Sequence, residues 1–117
     1  MKLHVLIDDM RNFTCDIIFK NAETAQFVWY RIQADIECLY MDHDLGDGMT
    51  GYDFLKWLRD EYHGTGDTIY LPLEVVLVTS NSVGMDNMAK LLVNDLSYVQ
   101  GNNNRSYIRE ERNETNQ

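Results

Sequence analysis

Three short apolar runs in this chain each stop at a polar cluster, and that repeated junction restricts the fold more than any other feature. Leu3 to Ile7 stops at Asp8-Asp9, Glu37 to Met41 runs into Asp42-His43-Asp44, and Val75 to Val78 ends at Thr79-Ser80-Asn81. Largely apolar runs of this length are what strands buried on both faces of a parallel sheet look like. Stretches of helical periodicity separate them. Asn21 is a good N-cap, after which Ala22, Ala25, Val28, Trp29 and Ile32 share one helical face. Thr50, with Asp53 three residues on, resembles a capping box opening a helix whose apolar side is Phe54, Leu55, Trp57, Leu58 and Tyr62. Ser82 is placed to cap a last helix bearing Met85, Met88, Ala89, Leu92 and Leu96. Strands alternating with helices predict a three-layer α/β domain with a mainly parallel sheet.

Two regions depart from that alternation. Cys15 to Phe19 is a further short apolar run, but only about half a dozen residues separate it from the first strand, whereas a parallel crossover usually takes ~10 to 12. The second strand is therefore expected to be antiparallel or off the sheet, with the first helix reduced or missing. After Val99 the composition turns to Gln, Asn, Arg and Glu. Residues 1–99 are read as the domain and 100–117 as a polar tail, either disordered or pairing as an added edge strand through Tyr107 and Ile108.

The 117 residues carry a formal charge of −9, with twelve Asp and seven Glu. Such a chain is a poor match for a nucleic-acid groove, which needs clustered Lys and Arg. An acidic nucleic-acid mimic that covers a basic protein stays open. Cys15 and Cys38 are too few for a disulfide scaffold and read as reduced thiols, no stretch approaches a membrane span, and a cytoplasmic location is expected.

In an open parallel sheet ligands bind at the carboxyl ends of the strands, so the three polar clusters should converge on one crevice. Carboxylates brought that close raise one another's pKa unless a cation lies among them. A single Asp-Asp after a strand is more often turn chemistry, and it is the conjunction at three strand ends that favours a metal site. Oxygen ligands suit Mg²⁺ or Mn²⁺, and Asp8, Asp9, Asp42 and Asp44 are the candidate ligands. Thr79 is placed to bind a phosphate oxygen. Flanked by two acids, His43 is placed to act as a phosphate-binding cation or general acid. Arg11 is either a salt-bridge partner of Asp8 or Asp9 or a phosphate contact.

These residues resemble the receiver domains of response regulators, and more closely the receiver-like family described as cyclic-phosphate processing, frequent in bacterial and phage genomes. That family's motifs run Leu-Asp-Asp-x-Arg, Leu-Asp-His-Asp-Leu-Gly, Thr-Gly-Tyr-Asp and His-Ser-x-Asn-Pro-x-Gly-x-x-Asn-Met. Here they read Ile7-Asp8-Asp9-Met10-Arg11, Met41-Asp42-His43-Asp44-Leu45-Gly46, Thr50-Gly51-Tyr52-Asp53, and Val78 through Met88 with Ser80, Asn81, Gly84 and Asn87 in register. The resemblance covers about residues 3–97. It implies a receiver-like, flavodoxin-like fold, a Mg²⁺ site, and a phosphoryl or nucleotide-type cyclic-phosphate ligand contacted by Arg11, Thr79, Ser80, Asn81 and Asn87. It also implies catalytic roles for Asp42 as nucleophile, His43 and Thr79. The family His is replaced by Val78 and the family Pro by Ser82. The Lys that receivers carry after a fifth strand has no counterpart, since nothing basic follows Lys90 until Arg105.

Two functions follow as expectations. One is a Mg²⁺-dependent phosphate-handling domain with phosphatase-like or phosphodiesterase-like activity. The alternative, consistent with Val78, is a phage-type binding protein of the same fold that sequesters a phosphorylated small molecule or covers a host protein in the host cytoplasm. A monomer or weak homodimer is expected.

Overall fold

The computed structural model describes residues 2–64 and 69–109. Leu3–Ile7 (β1), Ile17–Phe19 (β2), Ile36–Met41 (β3), Glu74–Leu77 (β4), Val99–Gln100 (β5) and Ser106–Ile108 (β6) form one sheet in the order β2-β1-β3-β4-β6-β5. The β2, β1, β3 and β4 strands are mutually parallel, and the β4–β6 and β6–β5 pairs are antiparallel. Three helices, Ala22–Ile32 (α1), Gly51–His63 (α2) and Ser82–Leu96 (α3), complete the mainly parallel α/β domain expected from sequence. No helix among the described residues is long and apolar enough to cross a membrane.

Alternate strand residues Val5, Ile7, Leu39, Met41, Val75 and Leu77 point to one face and share a core with Trp29, Phe54, Leu55, Met88 and Leu92 of the helices. Trp29 and Phe54 meet edge-on at 5.4 Å, locking α1 against α2. The helices pack in sequence, α1 on α2 and α2 on α3. The opposite sheet face, with His4, Leu6, Cys38, Tyr40 and Val76, lies outside that core. Residues 8–16 cover part of it, Phe13 standing edge-on to Tyr40 at 5.1 Å. The third layer expected from sequence is thus reduced to this loop, because the helix that would have formed it is the one missing between β1 and β2.

The orientation of β2 corrects the sequence reading. It is a parallel edge strand, with Val5 opposite Ile17 and Ile7 opposite Phe19. Residues 8–16 make the connection without a helix. Extended chain covers roughly 3.3 Å per residue, so these residues reach about 30 Å, far more than the return to the level of Val5 requires. Asp16 anchors the return: its carboxylate accepts the His4 N–H at 2.8 Å and its own N–H donates to the His4 carbonyl at 2.9 Å.

Residues 100–109, read from sequence as the start of a tail either disordered or pairing as an added edge strand, form with Val99 a hairpin that enters the sheet. β6 pairs with β4, so Tyr107 and Ile108 lie inside the sheet and β5 is the edge. Tyr107 and Arg109 are buried, and Arg109 donates to the Leu96 carbonyl at 3.1 Å. Residues 110–117 of the expected tail lie outside the described residues. The N-cap of α3 is Asn81 rather than Ser82: Asn81 is extended and its side chain accepts the Gly84 N–H at 2.8 Å.

Candidate functional site

The chain leaves β1 for β2 on one side and β3 for β4 on the other, so the crevice between the carboxyl ends of β1 and β3 is a topological switch point. Asp8 and Asp42 are the first residues past those strands. Sheet bonding continues through their backbones: the Asp8 N–H donates to the Phe19 carbonyl at 3.0 Å and the Asp42 N–H to the Ile7 carbonyl at 3.1 Å. Both carboxylates are therefore carried on rigid backbone. An open crevice of about 490 Å³ lies above them, lined by Asp9, Met10, Arg11, Asp42, Asp44, Gly46, Thr79 and Ser80.

Asp8 is fully buried. One carboxylate oxygen accepts the N–H groups of Met10 at 2.9 Å and Arg11 at 3.0 Å, and the other accepts Arg11 Nη1 at 2.9 Å. Burial works to raise its pKa, but those bonds and the Arg11 charge outweigh burial and hold it below the ordinary value. Asp42 is shifted the other way. Burial, then the negative charge of Asp8, pushes its pKa up, against opposing hydrogen bonds from the His43 N–H and the Thr79 hydroxyl. Arg11 Nη1 also lies 3.6 Å from Asp42 Oδ2, so one guanidinium faces both acids.

Asp9 completes the cluster: one oxygen from each of Asp8, Asp9 and Asp42 lies within 4.8 Å of the others. Mg²⁺ binds oxygens at about 2.1 Å, which sets trans ligands roughly 4 Å apart, and it suits a site offering a few carboxylates and open positions. The donor set and its spacing fit such a cation. Asp44 lines the crevice but stands outside this trio. Its carboxylate faces His43 Nδ1 at 3.0 Å and Asn81 Nδ2 at 3.3 Å, and the bonds to His43 and then Asn81 hold its pKa down.

The loop that closes the crevice depends on glycine at two points. Gly46 has φ +76°, a left-handed conformation, and sits against the Asp9 carboxylate. Gly51 donates its N–H to the His43 carbonyl at 2.8 Å, and a Cβ there would overlap the Asp42 carbonyl. Glu23 on α1 pins the same loop by accepting the Met49 N–H at 2.8 Å.

The other residues singled out from sequence separate into two groups. Arg11, Thr79 and Ser80 line the crevice. His43 does not: its ring packs against Gly84 and bonds Asp44. Asn81 is engaged in capping α3 and tying Asp44 to it. Asn87 lies in a different depression, between α2 and α3, beside Tyr52 and Lys90. Sequence reasoning missed Met10, Gly46 and Glu23; of these only the glycine, in a turn-rich stretch, carried a signal.

A family model described as a cyclic-phosphate processing receiver domain matches residues 3–94. No curated protein and no solved structure matches the chain.

Proposed function

The chain belongs to the cyclic-phosphate processing receiver family, and from that premise we propose that its acidic crevice binds Mg²⁺ or Mn²⁺ and, with it, a phosphoryl or cyclic-phosphate group. The observation that carries the proposal is the trio Asp8, Asp9 and Asp42, with oxygens within 4.8 Å on two strand ends. Those residues would hold the ion, which when bound supplies positive charge to neutralise a phosphate. Arg11 offers a second cation to the same anion, and the Thr79 hydroxyl a donor. Asp42 is the candidate nucleophile, since its carboxylate lines the crevice. The test is calorimetric titration with Mg²⁺ combined with hydrolysis of a fluorescent cyclic phosphate. Wild type should bind Mg²⁺ and turn the phosphate over, and Asp42→Asn should do neither; absence of binding at millimolar Mg²⁺ contradicts the proposal.

One observation favours a second reading, binding without turnover. Among the described residues no imidazole lines the crevice: Val78 replaces the family His, and His43 is turned toward Gly84 and Asp44. A protein without a general acid of this kind would hold its phosphorylated ligand and release it unchanged. Recovery of intact ligand from the protein supports this reading, and recovery of a cleaved product excludes it.

A further inference from the structure

The hairpin that follows α3 reaches the backbone of Thr79, a residue of the crevice wall. Because β6 runs antiparallel to β4, its leading end lies at the end of the sheet where β4 finishes, and the Leu77 N–H donates to the Arg105 carbonyl at 2.8 Å. From that point the Arg105 side chain turns back over the end of β4. Its Nη1 donates to the Leu77 carbonyl at 3.0 Å and to the Thr79 carbonyl at 2.8 Å.

Thr79 is buried and lies past the end of the ladder, so its carbonyl needs a donor from elsewhere, and Arg105 is that donor. The Thr79 hydroxyl faces the other way. It accepts the Asn81 N–H at 3.0 Å, and it works to lower the Asp42 pKa. The residue is thus held between a guanidinium on its backbone carbonyl and the Asn81 N–H on its side chain. Arg105 lies beyond the segment that matches the family, residues 3–94.

We infer that Arg105 is a positioning residue for the crevice, fixing through its carbonyl the Thr79 that lines it. It acts on the backbone, through Thr79, and needs no contact with a ligand.

Amide hydrogen exchange tests this without any ligand. In Arg105→Met the Asn81 amide, which bonds the Thr79 hydroxyl, is expected to exchange about tenfold faster than in wild type. The amides of Leu77 and Arg109, which bond the backbone carbonyls of Arg105 and Leu73, are expected to keep their rates. Arg105→Lys, which retains a donor for the two carbonyls, is expected to fall between them. An unchanged Asn81 rate overturns the inference, and so does a common acceleration of all three amides, which would mean that Arg105 only holds the hairpin down.

A second measurement rests on the proposed function. With Mg²⁺ present, inorganic phosphate is expected to bind several-fold more weakly to Arg105→Met, with no further loss when the change is made in Thr79→Val. Additive losses overturn the inference. Failure of wild type to bind phosphate counts against the proposed function, while the exchange pattern still decides the role of Arg105.

Discussion

A divalent cation in the proposed site would meet Arg11 at the same two carboxylates, because Nη1 lies 2.9 Å from Asp8 Oδ2 and 3.6 Å from Asp42 Oδ2. Removing the guanidinium leaves those acids uncompensated, which destabilises the fold and strengthens their demand for a metal. Arg11→Met is therefore expected to melt lower than wild type, to bind Mg²⁺ more tightly in calorimetry, and to bind inorganic phosphate more weakly. A weaker Mg²⁺ affinity would contradict this placement. The two cysteines provide a separate check. Burial pushes the Cys38 thiol up to about 12 and also raises Cys15. Native protein at pH 8 is expected to leave Cys38 unmodified by a thiol reagent, with labelling appearing only on denaturation. The convergence of Asp8, Asp9, Asp42 and Thr79 at one end of the sheet was legible in the sequence, since each follows an apolar run that ends a parallel strand. The positions of His43 and Asn87 were not, because neighbours distant in sequence fix them: Gly84 on α3 packs against the His43 ring, and Tyr52 on α2 borders the depression where Asn87 sits.

The α2 start is the element on which the acidic loop depends. Thr50 accepts the Asp53 N–H at 3.1 Å and Asp53 accepts the Thr50 N–H at 3.0 Å, the reciprocal cap anticipated from sequence. Thr50→Ala should cost about 1 kcal/mol in urea unfolding. Gly51→Ala should cost more, about 1–3 kcal/mol, because its methyl overlaps the Asp42 carbonyl and forces backbone to move. The cap also predicts a pH dependence. The Thr50 N–H, together with Lys56, holds the Asp53 pKa below its ordinary value of 3.8 despite some burial. An acid depressed in the folded state binds its proton more readily when unfolded, so its contribution is complete above the unfolded pKa and disappears as pH falls through the folded one. The stability gap between wild type and Asp53→Ala, measured in urea at several pH values, should be widest near neutrality and should narrow below about pH 4. A gap independent of pH would mean that the charge of Asp53 adds nothing to the cap. Other elements were only partly legible: a strand through Tyr107 and Ile108 was one of two readings of the tail, and the hairpin and the direction of β2 were not foreseen. The parallel pairing of β2 is set by Asp16 reaching His4, and the β5–β6 hairpin carries its burial on Ser106, Tyr107 and Arg109 within a stretch of polar composition.

Across the whole molecule, the net charge of −9 takes on a local meaning. Asp9, Asp42 and Asp44 line one crevice with Asp8 buried beside them, and among the described residues Arg11 is the cation that lines it. A ligand that binds the folded state alone stabilises it by mass action, about 2.7 kcal/mol at a hundred times its dissociation constant. Mg²⁺ is thus expected to raise the melting temperature of wild type and to leave that of Asp42→Asn unchanged, whereas NaCl at equal ionic strength should affect the two alike. The most direct test of the central claim is a Mg²⁺ titration followed by NMR at the backbone amides of Asp8, Asp9 and Asp42. The expected result is a saturable shift of those signals that is lost in Asp42→Asn. Signals that stay fixed up to about 10 mM Mg²⁺, beyond even weak physiological divalent-cation sites, would contradict it.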